Sequence, residues 1–362
     1  MALLLAGASG PVSTCLADAN VRDPSVKYLQ ILSHPEMAWG ARRSKKKQDK
    51  DPELPASDDR IRKELENLLK TYAPLVWLHS QEPYPPSDPL EFIEHSSLHY
   101  RGPSGRDQIL SPAGRIEAEA LAQLSKSGAV TRPYQSGFAL NGSGYFLKLE
   151  DVRPATRAVA ALEHVPMFWR LGEGEFAKTL MQEGARLGKK RIVIEYWYHT
   201  PYNLATRVGI GNHQGDWEGV AMLIELEDSR GTLEHRLLAS FYAEHETGTW
   251  RCAGELSRAS DGSHIEAFSA IGTHATYPEP GSHRSAVFTD KTERGTPWQS
   301  WENLRPLALE PYYGYSGAWG EPRFFSFMTG PLVPGPGYKS LPRETSASES
   351  LKTLTLLLSR CH

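Results

Sequence analysis

The chain has 362 residues, 40% of them hydrophobic and 10% aromatic, which is apolar material for one large domain or two ordinary ones. Its formal net charge of -3 gives no strong field of either sign, arguing against sequence-independent nucleic-acid binding. No stretch approaches the roughly 18 apolar residues of a transmembrane helix.

Residues 1–56 mix Pro, Ser, Lys and Asp without sustained periodicity, the pattern of a loosely ordered leader or a degenerate signal region. The first residues have a short apolar core but lack the positive residues of a signal peptide, so secreted and cytoplasmic locations both stay open. Residues 57–340 read as one domain and 341–362 as a C-terminal tail. Ser57 is placed to cap a helix over 58–71 that presents Ile61, Leu65, Leu68 and Leu69 on one face. LeuValTrpLeu at 75–78 reads as a first strand. The next segment, 79–92, carries four prolines and the carboxylates Glu82 and Asp88, and predicts a rigid loop without helix. Helices follow over 117–126 and 175–187, the second closed by Gly188.

From Arg191 onward short β-rich runs alternate with turns. Runs at 191–198, 219–226, 237–243 and 264–271 have strand composition, and the last alternates in polarity. These predict a mainly β fold, an antiparallel β-sandwich with several peripheral helices and long loops. Three cysteines, at 15, 252 and 361, match no zinc spacing. Of Cys252, a lone buried thiol is preferred over pairing with Cys361.

The stretch GNHQGDWEG at 211–219 carries the chemistry. His213, Asp216 and Glu218 offer a nitrogen and two carboxylates, a set acceptable to a hard divalent cation: Ca²⁺ or Mg²⁺ first, Mn²⁺ as an alternative. Asp216 and Glu218 share one side of a strand if Trp217 turns into the core, and Gly215 lets His213 swing towards them. The plainer alternative is an edge loop whose polar groups only bond one another. His245, His274 and His283 follow strand-like runs, where loops from distant positions converge. Glu82, His245 and His274 are the acid–base candidates of that pocket. No nucleophile elbow, Cys–His pair or second zinc-protease histidine is present.

The runs VIEYWYHTPYN, GNHQGDWEG, AEHETGTW and AIGTHATYPEPGSH, with the Pro-rich segment at 72–89 and YSGAWGEP and GPLVPGPG near the C-terminus, resemble the vacuolar protein sorting-associated protein 62 family over about 72–337. A more distant likeness is to the necrosis- and ethylene-inducing peptide-like cytolysins, whose Trp-Tyr-x-Pro-x-Asp run and His-x-His-Asp-Trp-Glu heart sit on a β-sandwich. That resemblance implies metal ligation by Asn203, His213, Asp216 and Glu218. Asn203 stands where those proteins have aspartate, which removes one negative charge, and Gly215 replaces the second histidine, leaving His245 or Glu82 as substitutes.

Three functions are carried forward. The first is a metal-dependent protein binding a glycan or lipid head group at a membrane surface. The second is a metal-dependent hydrolase or lyase acting on a small-molecule substrate in the same pocket. The third is a non-catalytic intracellular scaffold. For each of Trp250, Tyr277, Tyr312, Tyr313, Tyr315 and Trp319, core and loop packing is preferred, with stacking on sugars or lying at a lipid interface as the functional alternative.

Overall fold

The computed structural model describes residues 24–39, 56–102, 104–126, 144–152, 162–206, 209, 211–229, 232–245, 247–284, 289–315, 317–321, 341–342 and 346–361. Helices α1 (Pro24–Ser33), α2 (Glu36–Trp39) and α3 (Ala56–Tyr72) precede β1 (Leu75–Leu78). Then come α4 (Pro89–Glu94), β2 (Ser96–Arg101), β3 (Asp107–Ser111), α5 (Ala118–Lys126), β4 (Gly144–Leu149), β5 (Met167–Leu171) and α6 (Glu175–Arg186). The long strands β6 (Lys190–Asn203), β7 (His213–Ser229) and β8 (Thr232–Glu244) follow, with β9 (Thr247–Cys252) after them. Shorter strands complete the β structure: β10 (Glu266–Ser269), β11 (Thr276–Tyr277), β12 (Gly281–Arg284), β13 (Thr289–Thr292), β14 (Thr296–Gln299) and β15 (Leu304–Pro306), before α7 (Ala347–Arg360).

The fold is mainly β. Its centre is a six-stranded sheet in the order β15-β5-β6-β7-β8-β9, with a four-stranded sheet β11-β10-β1-β14 and a three-stranded sheet β3-β2-β4. Pairing is antiparallel except for β1 with β10 and β15 with β5. Both faces of the central sheet are buried. Ile192, Ile194, Tyr196, Val220, Met222 and Ile224 join one core with Val76 and Trp298 of the four-stranded sheet. Val193, Trp197, Trp217, Ala221 and Leu223 join the other with Leu98 and Leu147 of the three-stranded sheet and with α6 and α7. Period-two side chains divided between two cores explain why ArgIleValIleGluTyrTrpTyr is a nearly continuous apolar run.

Several expectations change here. Within the span read as a leader, α1 and α2 are helical, and Tyr28, Ile31 and Leu32 are buried in the core with α3; the remainder of that span outside the described residues stays an expectation. Over 24–39 the apolar positions are divided between two short helices, too short to show a sustained period. The helix after it begins at Ala56, so Ser57 lies inside its first turn. The Pro-rich segment is not all loop: Pro89 opens α4, where its missing N–H costs nothing, and Asp88 Oδ1 accepts from Leu90 N at 3.0 Å as the cap. Asp88 also pairs with Arg305 at 2.7 Å; it is a structural carboxylate.

Cys252 is not a lone thiol but is joined to Cys361 by a disulfide across 109 positions, a pairing visible only once α7 packs against β9. Within the span read as a tail, α7 buries Leu354 and Leu357. Tyr277, Tyr312, Tyr315 and Trp319 are buried rather than presented to a ligand, and Trp250 and Tyr313 pack partly buried against the core. Among the described residues no helix is long and apolar enough to cross a membrane.

Candidate functional site

The site lies at the turn end of the β6–β7 hairpin, where Asn203 pairs with His213 and Thr200 with Asp216. The backbone of the Pro-rich segment is tied to this end by Ser87 N donating to His199 O at 2.9 Å, and the β10–β11 turn by Leu204 N donating to Gly272 O at 2.7 Å. Trp217 turns into the core as its apolar ring requires, so Asp216 and Glu218, two apart on the strand, share the other side and are both buried. Gly215 is in the left-handed region at φ +60°, and a Cβ there would lie 2.1 Å from Trp319 O. Left-handed geometry and the close approach both require glycine. Gly215→Ala is expected to lower unfolding stability by about 2–4 kcal/mol, read by urea denaturation; a change under about 0.5 kcal/mol would mean that the backbone at this strand position relaxes freely.

His213 Nδ1 lies 2.9 Å from Gly215 O. Burial lowers its pKa below 6.5, so the ring is neutral near pH 7, Nδ1–H donates to that carbonyl and Nε2 keeps its lone pair. Beside it, Asn203 Nδ2 donates to Gly211 O at 2.9 Å, while its buried Oδ1 has no hydrogen-bond partner.

A fully buried ion pair backs this edge. His274 Nε2 donates to Glu82 Oε1 at 3.2 Å, its Nδ1 to Thr200 Oγ1 at 3.0 Å, and Asp216 Oδ2 stands 3.6 Å from Nδ1. Burial alone would lower the His274 pKa, but the charges of Glu82 and Asp216 and the bonds to them raise it to about 10. Glu82 runs the other way: burial would raise its carboxyl, yet the His274 charge and bonds from His274, Gly272 N and Tyr84 N hold it below 4.5. Imidazolium and carboxylate are therefore both charged near neutrality, and neither is open to solvent.

A second pair stands nearer the surface. His245 Nε2 donates to Asp290 Oδ2 at 2.6 Å, and the same carboxylate accepts from Tyr277 OH and Thr273 Oγ1, each at 2.7 Å. Burial pulls the His245 pKa down, but Asp290 by hydrogen bond and charge, with Glu218 and Asp216 behind it, raises it above 6.5. Among the described residues, His245 and His274 are the only non-glycines at positive φ, +58° and +59°. Strain of that kind persists where surrounding bonds over-determine it, and it gathers at functional sites. His245 lines a cleft of about 360 Å³ with Glu244, Arg251, Tyr277 and Arg284.

The residues named from sequence thus divide into three groups: Asn203, His213, Asp216 and Glu218 along the hairpin end, Glu82 and His274 sealed beneath it, and His245 at the cleft. His283 lies on the cleft wall, stacked on Tyr277, and Glu246 is outside the described residues. Asp290 and Thr273 had no sequence signal of their own, since an Asp and a Thr in ordinary strand and turn contexts are far too common. The donor chemistry fits a hard cation: two carboxylates, an unpartnered amide oxygen and a neutral imidazole whose other nitrogen is anchored to a carbonyl, the usual orientation of a ligating histidine. Among the described residues, however, no three His, Cys, Asp or Glu side chains are gathered as a metal-holding group.

No curated protein matches the chain. A solved structure described as the crystal structure of the non-toxic HaNLP3 protein covers 71% of this chain and 77% of its own, at 11% identity and a TM-score of 0.32, a likeness too loose to place residues. Asn203, His213, Asp216, Glu218, His245, His274 and His283 fall within residues 196–287, which match the family described as Vacuolar protein sorting-associated protein 62, and this segment of the chain is Vps62-like.

Proposed function

We propose that the protein is a β-sandwich binder of a glycan or lipid head group, with a divalent cation, Ca²⁺ or Mg²⁺ before Mn²⁺, held at the hairpin end by His213, Asp216, Glu218 and Asn203. One observation carries this reading: the cross-strand pair in which buried Asn203 Oδ1 has no partner while neutral His213 presents Nε2. A buried acceptor without a donor is costly, and a cation is one way to satisfy it. Charge supports the same reading. Four carboxylates, Glu82, Asp216, Glu218 and Asp290, gather at this end of the sheet around two histidines, with His274 shared between Glu82 and Asp216 and His245 held by Asp290. The bound cation would supply positive charge to a head group's oxygens, while the protein orients it from the neighbouring cleft. Because Asn203 is uncharged, affinity is expected to be lower than for a set of three carboxylates.

Metal content by mass spectrometry after dialysis, on the wild type and Asp216→Ala side by side, tests this. A stoichiometric divalent ion in the first and none in the second, with vesicle binding abolished by chelation, is the expected result. No ion in either, with Ca²⁺, Mg²⁺ and Mn²⁺ all failing to raise the melting temperature, overturns it.

A second reading, hydrolysis or elimination on a small molecule, is favoured by one observation. The His245 imidazolium, oriented by Asp290 at 2.6 Å, reaches the cleft and is placed to give a proton to a leaving group. In this reading Glu82 and His274 act only by position, since a sealed, fully charged pair exchanges no proton with a ligand in the cleft. Turnover lost in His245→Gln with metal content unchanged would decide for it.

A further inference from the structure

The cleft has a wall whose side chains are set by strand register. On β9, residues 247, 249 and 251 face one way, and Gly248 and Trp250 face the other. Trp250 packs on Phe176 and Phe241 with ring centroids 5.1 and 5.3 Å away, and a Cβ on Gly248 would lie 2.1 Å from Phe241 Cζ. Those two positions lock the register, because a one-residue slip would drive Trp250 out of the core. Thr247, Thr249 and Arg251 consequently form an i, i+2, i+4 row along the edge strand of the central sheet, facing the cleft. Opposite stands a stacked pair of rings, His283 on the buried Tyr277 at 3.8 Å and 9°. It is pinned by Asp290 through the Tyr277 hydroxyl and by Thr292 Oγ1, 3.0 Å from His283 Nε2.

The charges at the mouth cancel. Arg251 and Arg284 are matched in number by Glu244 and Glu279, and His245 is paired with Asp290. Arg251 reaches Glu279 only at 3.9 Å, and Arg284 has no ion pair among the described residues. Their hydrogen-bonding groups are therefore available to a ligand, while the cleft has no net field to collect an anion. Threonine hydroxyls, guanidinium and carboxylate groups, and an imidazole ring backed by Tyr277 in one cleft match alternating hydroxyls and the apolar face of a sugar ring.

We propose that this cleft is a carbohydrate site: it takes one or two neutral sugar rings, with hydroxyls on the Thr249–Arg251 row and on Glu244, and a ring face against His283, which the buried Tyr277 backs. The proposal deepens the head-group reading by choosing a neutral glycan over a phosphate-bearing group, and it rests on that reading for its biological setting.

The full chain is applied to an immobilised panel of neutral and acidic oligosaccharides, and affinity for any captured glycan is measured in solution beside inorganic phosphate. Thr249→Val and Arg251→Gln are carried in parallel. The valine keeps the strand's shape, so its loss of binding would not be a loss of fold. Capture of at least one neutral glycan is expected, with phosphate unbound and each variant weakening binding about tenfold, as for one hydrogen bond lost. The cleft assignment is overturned if no neutral glycan is captured, if phosphate binds better, or if both variants bind as the wild type does. Asp216→Ala separates the two readings. Neutral glycan binding that survives in Asp216→Ala but falls in Arg251→Gln supports the cleft even where the cation fails. Vesicle binding lost in Asp216→Ala and unchanged in Arg251→Gln supports the cation end and removes the cleft.

Discussion

Glu82→Gln is expected to lower unfolding stability by about 3–5 kcal/mol, the range for removing one partner of a buried ion pair. The His274 imidazolium is fully buried, and its Nε2–H points at Glu82. Without that carboxylate it must either remain charged with Asp216 alone, 3.6 Å away, or give up its proton. The pair also shapes the pH dependence. Since His274 is raised from 6.5 to about 10, its contribution is complete below pH 6.5 and lost as the pH rises through 10. Since Glu82 is held below 4.5, its contribution is present above that value and lost as the pH falls through the lowered one. The two together are fullest between pH 4.5 and 6.5. Urea unfolding across pH should therefore show that plateau in the wild type. In Glu82→Gln the acid limb should be shallower and the alkaline loss should begin at lower pH. Identical profiles in the two proteins would show that the pair contributes nothing to folding.

Cys361→Ser, or reduction of the wild type, is expected to cost about 3–5 kcal/mol, because the 252–361 bridge closes a loop of over a hundred residues in the unfolded chain. The loss should be felt first at α7, whose Leu354 and Leu357 seal one core against β9 and α6. Thermal unfolding with and without reductant reads the effect. A thiol titration under denaturing, non-reducing conditions reads its origin: of three cysteines, two are bridged, so one thiol is expected. Three free thiols, or a melting temperature indifferent to reductant, would remove the bridge from the account.

The mainly β character and the strands around the site were legible because their patterns are local. Strand β1 falls where LeuValTrpLeu placed it, and Trp217 is buried as its position between Asp216 and Glu218 required. Gly215 was marked by its place between His213 and Asp216, and it occupies the left-handed region. Proline was misleading at 89, since density of proline was read as loop although Asp88 and Pro89 together are a helix start. The aromatics of 312–319 are packed in the core, the reading preferred for them, but a loop composition says nothing of which elements fold over the loop.

By itself, the sequence determined the β-rich texture, the backbone freedom at Gly215, the shared side of Asp216 and Glu218, and the set of titratable residues from which any site must be built. These follow from backbone stereochemistry and period-two alternation, which act between neighbours in the chain. Only the tertiary structure decided how those residues are partnered. It sealed Glu82 against His274 across 192 positions, set His245 on Asp290 at the cleft, and joined Cys252 to Cys361. It also buried both faces of the central sheet. Such partners are chosen by the packing of layers and by the need of each buried charge for an opposite one, and neither leaves a mark at a fixed spacing along the chain.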